Sequence, residues 1–174
     1  FSPIELSNNL QDYKKIIKKL KFNQNMINKI DHYLDKYKIN EDYLGVHIRL
    51  CDMNIYHSDD YGVLSYDDFL KKIKEEKGEN TKIFLSSDNK ESIKKLKLEF
   101  GDDVIYLDGF IRGETESEDT LKFQLDNFKN NQLWEESFIE MILLSKCGKL
   151  ICRTSNLNNV SVIYSDTIKK IIRL

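Results

Sequence analysis

Two hydrophobic spacings alternate along the chain. From residue 2 to residue 38 apolar positions fall three and four apart, with Ile16, Ile17, Leu20, Ile27, Ile30 and Leu34 forming stripes, the period of helices that bury one face. A break near Phe22 to Asn25 divides this stretch. "SPIE" at 2–5 predicts its start: Ser2 caps, Pro3 suits the first helical position and Glu5 completes a capping box. After residue 40 the pattern changes. "YLGVHIRL" (43–50) is short, apolar and β-branched, as in a strand buried on both faces, and such strands belong to parallel sheets covered by helices. "KIFLSS" (82–87), "VIYLD" (104–108) and "KLICR" (149–153) read the same way.

Helical periods fill the intervals. Ser65 opens a helix with Asp68 in the capping-box position, and Ser87 or Asp88 is placed to cap a second that Gly101 ends in a left-handed stop. Residues 132–148 predict a third helix closed by Gly148, and residues 155–165 a fourth; "TIKKIIRL" fits either a strand or a short helix. Alternation of strand and helix predicts a Rossmann-like α/β fold, an open parallel sheet with helices on both faces. Length sets one domain over residues 1–174, with leading helices at 1–40 and an α/β core at 41–174.

Composition narrows the partners. The formal net charge is -2 and the lysines are interleaved with Asp and Glu, the arrangement of a solvated face rather than of a nucleic-acid footprint. Three cysteines, Cys51, Cys147 and Cys152, lack CxxC spacing, which argues against a disulfide framework or zinc ribbon and for a reducing, cytoplasmic compartment. No apolar run approaches the ~20 residues of a membrane span. The chain begins with Phe1 rather than Met and reads either as a processed chain or, the preferred reading, as a piece of a longer protein.

The candidate chemistry lies at the strand exits. In open parallel sheets ligands bind beyond the carboxyl ends of the strands, and here those ends carry Arg49 and Asp52, then Ser87 to Asn89, then Asp108 and Gly109, then Arg153 to Asn156. Helix capping accounts for Ser87, Asp88 and Ser155. It does not account for Arg49, a permanent cation two residues past His47 in a buried strand, which needs an anion or a path to solvent. A forked guanidinium facing the free N–H groups of a helix start at "TSN" (154–156) makes a phosphate site. No Walker loop and no GxGxxG is present, so the usual phosphate cradles are missing.

"GVHIRLCD" (45–52) resembles the H-x-R-R-G-D segment of the fucosyltransferases that use GDP-fucose. "IFLSSDN" (83–89) is similar to that family's strand ending in Ser/Thr-Asp, and residues 137–165 to its helix, strand and Ser-rich turn. The likeness runs from Tyr43 to Leu174 and departs from the pattern at Leu50, where members carry a second arginine, and at Cys51. It implies the donor-binding half of a two-domain GT-B glycosyltransferase, its acceptor-binding half upstream of Phe1. It further implies metal-independent, inverting transfer of fucose from GDP-fucose to a glycan hydroxyl, with no separate cofactor. Arg49 then meets the β-phosphate, His47 and Glu140 face the guanine, and Thr154, Ser155 and Asn156 hold the phosphates. Asp52 is the motif aspartate, Asp88 lines the sugar-nucleotide cleft, and His57 takes the place of a candidate base.

Other readings of the same residues stay open. Glu140 is equally a polar face residue beside Glu135 and Glu136, and His47 a satisfied core histidine. The fold also suits a nucleotide-sugar-binding module without catalysis. A metal hydrolase built on His47, Asp52 and His57 lacks recognisable ligand spacing.

Overall fold

A computed structural model of the chain describes residues 3–50, 62–115 and 131–174. Two helices lead, α1 (Pro3–Ile17) and α2 (Gln24–Tyr37). Then come β1 (Leu44–Ile48), α3 (Tyr66–Glu76), β2 (Ile83–Ser87) and α4 (Lys90–Phe100). They are followed by β3 (Val104–Ile105), α5 (Asn131–Leu144), β4 (Lys149–Cys152), α6 (Asn156–Tyr164) and β5 (Lys170–Arg173). The strands form one sheet in the order β3-β2-β1-β4-β5, every pairing parallel. The Rossmann-like expectation is met.

Strand alternation sorts the side chains into two apolar layers. Leu44, Val46 and Ile48 of β1 and Ile83 and Leu85 of β2 pack with Phe69 and Ile73 of α3 and Leu96 of α4. On the other face Phe84, Leu150 and Cys152 meet α5 and α6, with α1 and α2 packed outside them. His47 belongs to this second face, in register with Ser86 on β2 and Cys152 on β4. The helices therefore cover both faces, and β1 lies at the centre.

Several boundaries differ from the sequence expectation, each for a local reason. β3 stops at Ile105, because only Val104 and Ile105 pair with β2; Leu107 is buried but has left the ladder. The cap of α4 is Asn89, not Ser87 or Asp88, and its side chain accepts from Ser92 N–H at 2.8 Å. α4 ends on Gly101 at φ 56°, ψ -129°, a positive φ but not the left-handed cap. α5 ends at Leu144 rather than at Gly148. Gly148 instead permits a close backbone approach. A β-carbon there would sit 2.0 Å from the Glu41 carbonyl oxygen, so only glycine lets β4 start against the segment before β1. The last segment resolves as a strand, β5, on the sheet edge.

The capping box of α3 is complete: Ser65 Oγ accepts from Asp68 N–H at 3.3 Å and Asp68 Oδ2 accepts from Ser65 N–H at 2.8 Å. Those bonds from Ser65 hold the Asp68 carboxyl below its ordinary value. Ser65→Ala is expected to cost ~1 kcal/mol, read as a lower denaturation midpoint with an unchanged slope.

Burial pushes the Cys147 thiol far up and that of Cys152 up to about 12. The folded state thus favours the neutral thiols. Their contribution to stability is whole below the unfolded thiol value of about 8.5 and is lost as pH rises through the raised folded values. At pH 8 both cysteines should resist iodoacetamide while the chain is folded and react after denaturation, which peptide mass spectrometry reads directly.

Candidate functional site

β1 and β2 leave the sheet side by side, Asp88 N–H donating to the Ile48 carbonyl at 3.3 Å. Immediately past that link Arg49 lines a cavity of about 90 Å³ together with His47, Ser86, Ser87 and Asp88. Leu157, in the first turn of α6, and Glu136 and Glu140 on α5 close the other walls. The cavity lies where parallel sheets bind ligands, beyond the strand carboxyl ends. Arg49 itself is partly buried, while Leu50 is 1% exposed in the layer under α3 and α4. Where the motif carries a second arginine, this chain has an ordinary core contact at position 50.

The cavity is held by a buried ion pair. Arg112, from the segment after β3, meets Glu140 Oε1 at 2.5 Å, the two side chains being 5% and 9% exposed. Its guanidinium also donates to the carbonyl of Ser87 and, at 3.3 Å, to that of Leu107. Glu140 Oε2 accepts from Ser86 Oγ at 2.7 Å. One arginine thus ties the ends of β2 and β3 to α5. Both oxygens of Glu140 already accept from protein donors, and its charge is matched by Arg112.

Two residues of this region, Arg112 and Glu136, escape a reading of the sequence by strand exits and motifs. Glu136 stands four residues before Glu140, on the same helix face by the helical period, and that spacing is the available signal. For Arg112 the signal is an arginine inside "FIRG" (110–113), a charged side chain among apolar and glycine neighbours. Its partner lies 28 residues away, so nothing local identifies the pair.

The remaining residues divide between two places. Ser155 caps α6, its Oγ accepting from Asn158 N–H at 3.3 Å. Thr154 Oγ1 accepts from Arg173 at 3.4 Å, and Asn156 is exposed as the first residue of α6. Of the turn, only its successor Leu157 reaches the Arg49 cavity. Arg153 is 1% exposed and donates to the carbonyl of Gly62. Asp52 and His57 lie outside the described residues, as do Cys51, Asp59 and Asp60. Among the described residues no group of three or more His, Cys, Asp or Glu is placed to hold a metal ion, and no helix is long and apolar enough to cross a membrane.

No family model and no curated protein matches this chain. Solved structures do. The chain is similar to NodZ alpha-1,6-fucosyltransferase co-crystallized with GDP, at 17% identity and a TM-score of 0.58. It is similar to the same enzyme soaked with GDP-fucose, at 18% identity and a TM-score of 0.60. Fucosyltransferase NodZ from Bradyrhizobium gives 17% identity and a TM-score of 0.58. Each likeness covers 91% of this chain and 47% of the other, so the chain spans about half the length of the enzyme it matches. The likeness shows the fold: this chain is a Rossmann-like parallel α/β unit that matches about half of those structures.

Proposed function

We propose that the chain is the donor-binding half of a GT-B glycosyltransferase that moves fucose from GDP-fucose to a glycan hydroxyl with inversion. The observation that carries this reading is the position of Arg49, at the exit of the central strand and on the wall of a cavity that the first turn of α6 also lines. Crystals of the structurally similar NodZ grown with GDP and soaked with GDP-fucose support the choice of donor.

As the acceptor hydroxyl attacks the anomeric carbon, the bond to the β-phosphate breaks and charge grows on the departing diphosphate. A guanidinium already in place stabilises that charge more than it stabilises the bound donor, so it lowers the barrier instead of merely tightening binding. Arg49 supplies the charge compensation, and no metal ion is assigned to the step. The amide N–H groups at the start of α6, behind Ser155 and Asn156, add partial positive charge. The hydroxyl proton passes to a base from segment 53–62, with His57 assigned that role. Asp52 and Asp88 are assigned to the sugar side of the cleft.

A melting series with GDP, UDP and ADP tests the donor. At a hundredfold excess over Kd a ligand adds about 2.7 kcal/mol, a rise of ~5–10 °C for a chain of this size. GDP is expected to give that rise and UDP and ADP a smaller one. A larger rise with UDP or ADP contradicts the proposal.

A second reading, a binding module of the same fold without catalysis, is favoured by Leu50, whose buried side chain removes the second motif arginine. GDP binding with no transfer to any acceptor by the full-length protein selects it.

A further inference from the structure

Most lysines of this chain are interleaved with Asp and Glu, but residues 14–21, "KKIIKKLK", hold five lysines and no acid. The run forms the end of α1 and the turn after it, where Lys18 N–H still donates to the Lys14 carbonyl at 3.1 Å and Leu20 N–H to that of Ile17 at 3.0 Å. Ile17 packs against the core, whereas Ile16 is 63% and Leu20 58% exposed. Phe22 follows, edge-on to Phe138 of α5 with ring centroids 6.3 Å apart. Phe138 and Trp134, one turn apart on the same face of α5, are 41% and 51% exposed. Four of the seven large hydrophobic residues exposed among the described residues thus belong to this region, where ordinary surface residues of this kind are scattered singly. Lys15 is paired with Asp12, and Lys14 and Lys18 with Asp166. Lys19 and Lys21 are exposed and have no acidic partner among the described residues. A cavity of about 200 Å³ lined by Lys18, Leu20 and Lys146 brings a sixth lysine to the same place.

We propose that this face docks on an anionic lipid bilayer, with Ile16, Leu20, Phe138 and Trp134 entering the headgroup boundary and the lysines meeting lipid phosphates. The contact is with one leaflet and spans nothing. Apolar side chains set among lysines suit that boundary, because a lysine stem lies along the apolar layer while its ammonium reaches the phosphates. Lysine without arginine fits a diffuse anionic field rather than a forked site for a single carboxylate or phosphate. α5 also gives Leu133, Glu136 and Ser137 to the walls of the Arg49 cavity, so docking holds that cavity beside the bilayer.

Co-sedimentation of the full-length protein with phosphatidylcholine vesicles, with and without about 30% phosphatidylglycerol, tests the surface. Anionic vesicles should bind it at least ~10-fold more tightly than neutral ones, and the gap should close at high salt. Lys19→Gln combined with Lys21→Gln should lose ~10–30-fold on anionic vesicles, about 5-fold per lysine. Ile16→Ser combined with Leu20→Ser should lose ~10–100-fold and keep the preference for anionic lipid. All four side chains are exposed, so both double variants should melt with the wild type, which separates lost docking from lost folding. A full-length protein that stays in solution with anionic vesicles overturns the proposal and marks the face as one covered by another protein surface. Binding that both double variants retain in full overturns it as well.

Discussion

Arg112→Ala is expected to destabilise the chain by about 3–5 kcal/mol, a fall in melting temperature of ~6–20 °C. The magnitude follows from what is left behind. Glu140 is buried against Ser86, and without Arg112 its charge has no counterion in a medium that solvates it poorly. The carbonyls of Ser87 and Leu107 lose their shared donor at the same time. Glu140→Gln should also destabilise, by leaving the guanidinium uncompensated. Replacing both, Arg112→Met with Glu140→Leu, should recover most of the loss, because an apolar pair of similar volume avoids the desolvation cost of both ions. A single variant that melts with the wild type would show that the pair is not buried.

The second large effect concerns Arg49. Arg49→Ala should weaken GDP binding by about 30- to 1,000-fold with little change in melting temperature, since the side chain stands at a cavity wall and is only partly buried. Arg49→Lys should fall between, retaining the charge and losing the two-pronged donor. The loss should shrink with rising salt to the extent that the site is open to water. Equal affinity in wild type and Arg49→Ala would move the phosphate site elsewhere.

Much of the architecture is legible because it is written in local periods. β1, β2 and β4 are apolar runs at the expected places, and the helices between them carry their caps in the sequence, as Ser65 and Asp68 do. The pattern overextends β3 because Tyr106 and Leu107 continue it after pairing has ceased; Leu107 is buried in the apolar layer that includes Phe84 and the α5 side chains Ile139 and Leu143, not by the ladder. β5 is ambiguous for the opposite reason, an edge strand whose Lys170 and Ile171 are exposed and so lack the signature of a buried one. The cap of α4 lies one or two positions beyond the expected one because Ser87, Asp88 and Asn89 are all competent caps and only the bend of the chain selects among them.

The candidate site is legible in part. Arg49, His47, Asp88 and Glu140 do come together around one cavity, which follows from strand exits converging where a parallel sheet ends. Thr154, Ser155 and Asn156 gather at the start of α6, one of them as its cap. The Arg112–Glu140 pair is invisible in the sequence because it depends on how the segment after β3 folds back over α5, a contact with no period.

The central claim is that Arg49 and the amino end of α6 together hold the diphosphate of a nucleotide donor. A crystal structure of the chain grown with GDP tests it directly. The account predicts diphosphate oxygens within hydrogen-bonding distance of the Arg49 guanidinium and of the amides behind Ser155. GDP seated elsewhere, with the Arg49 guanidinium turned to a protein carboxylate and away from the nucleotide, would contradict it.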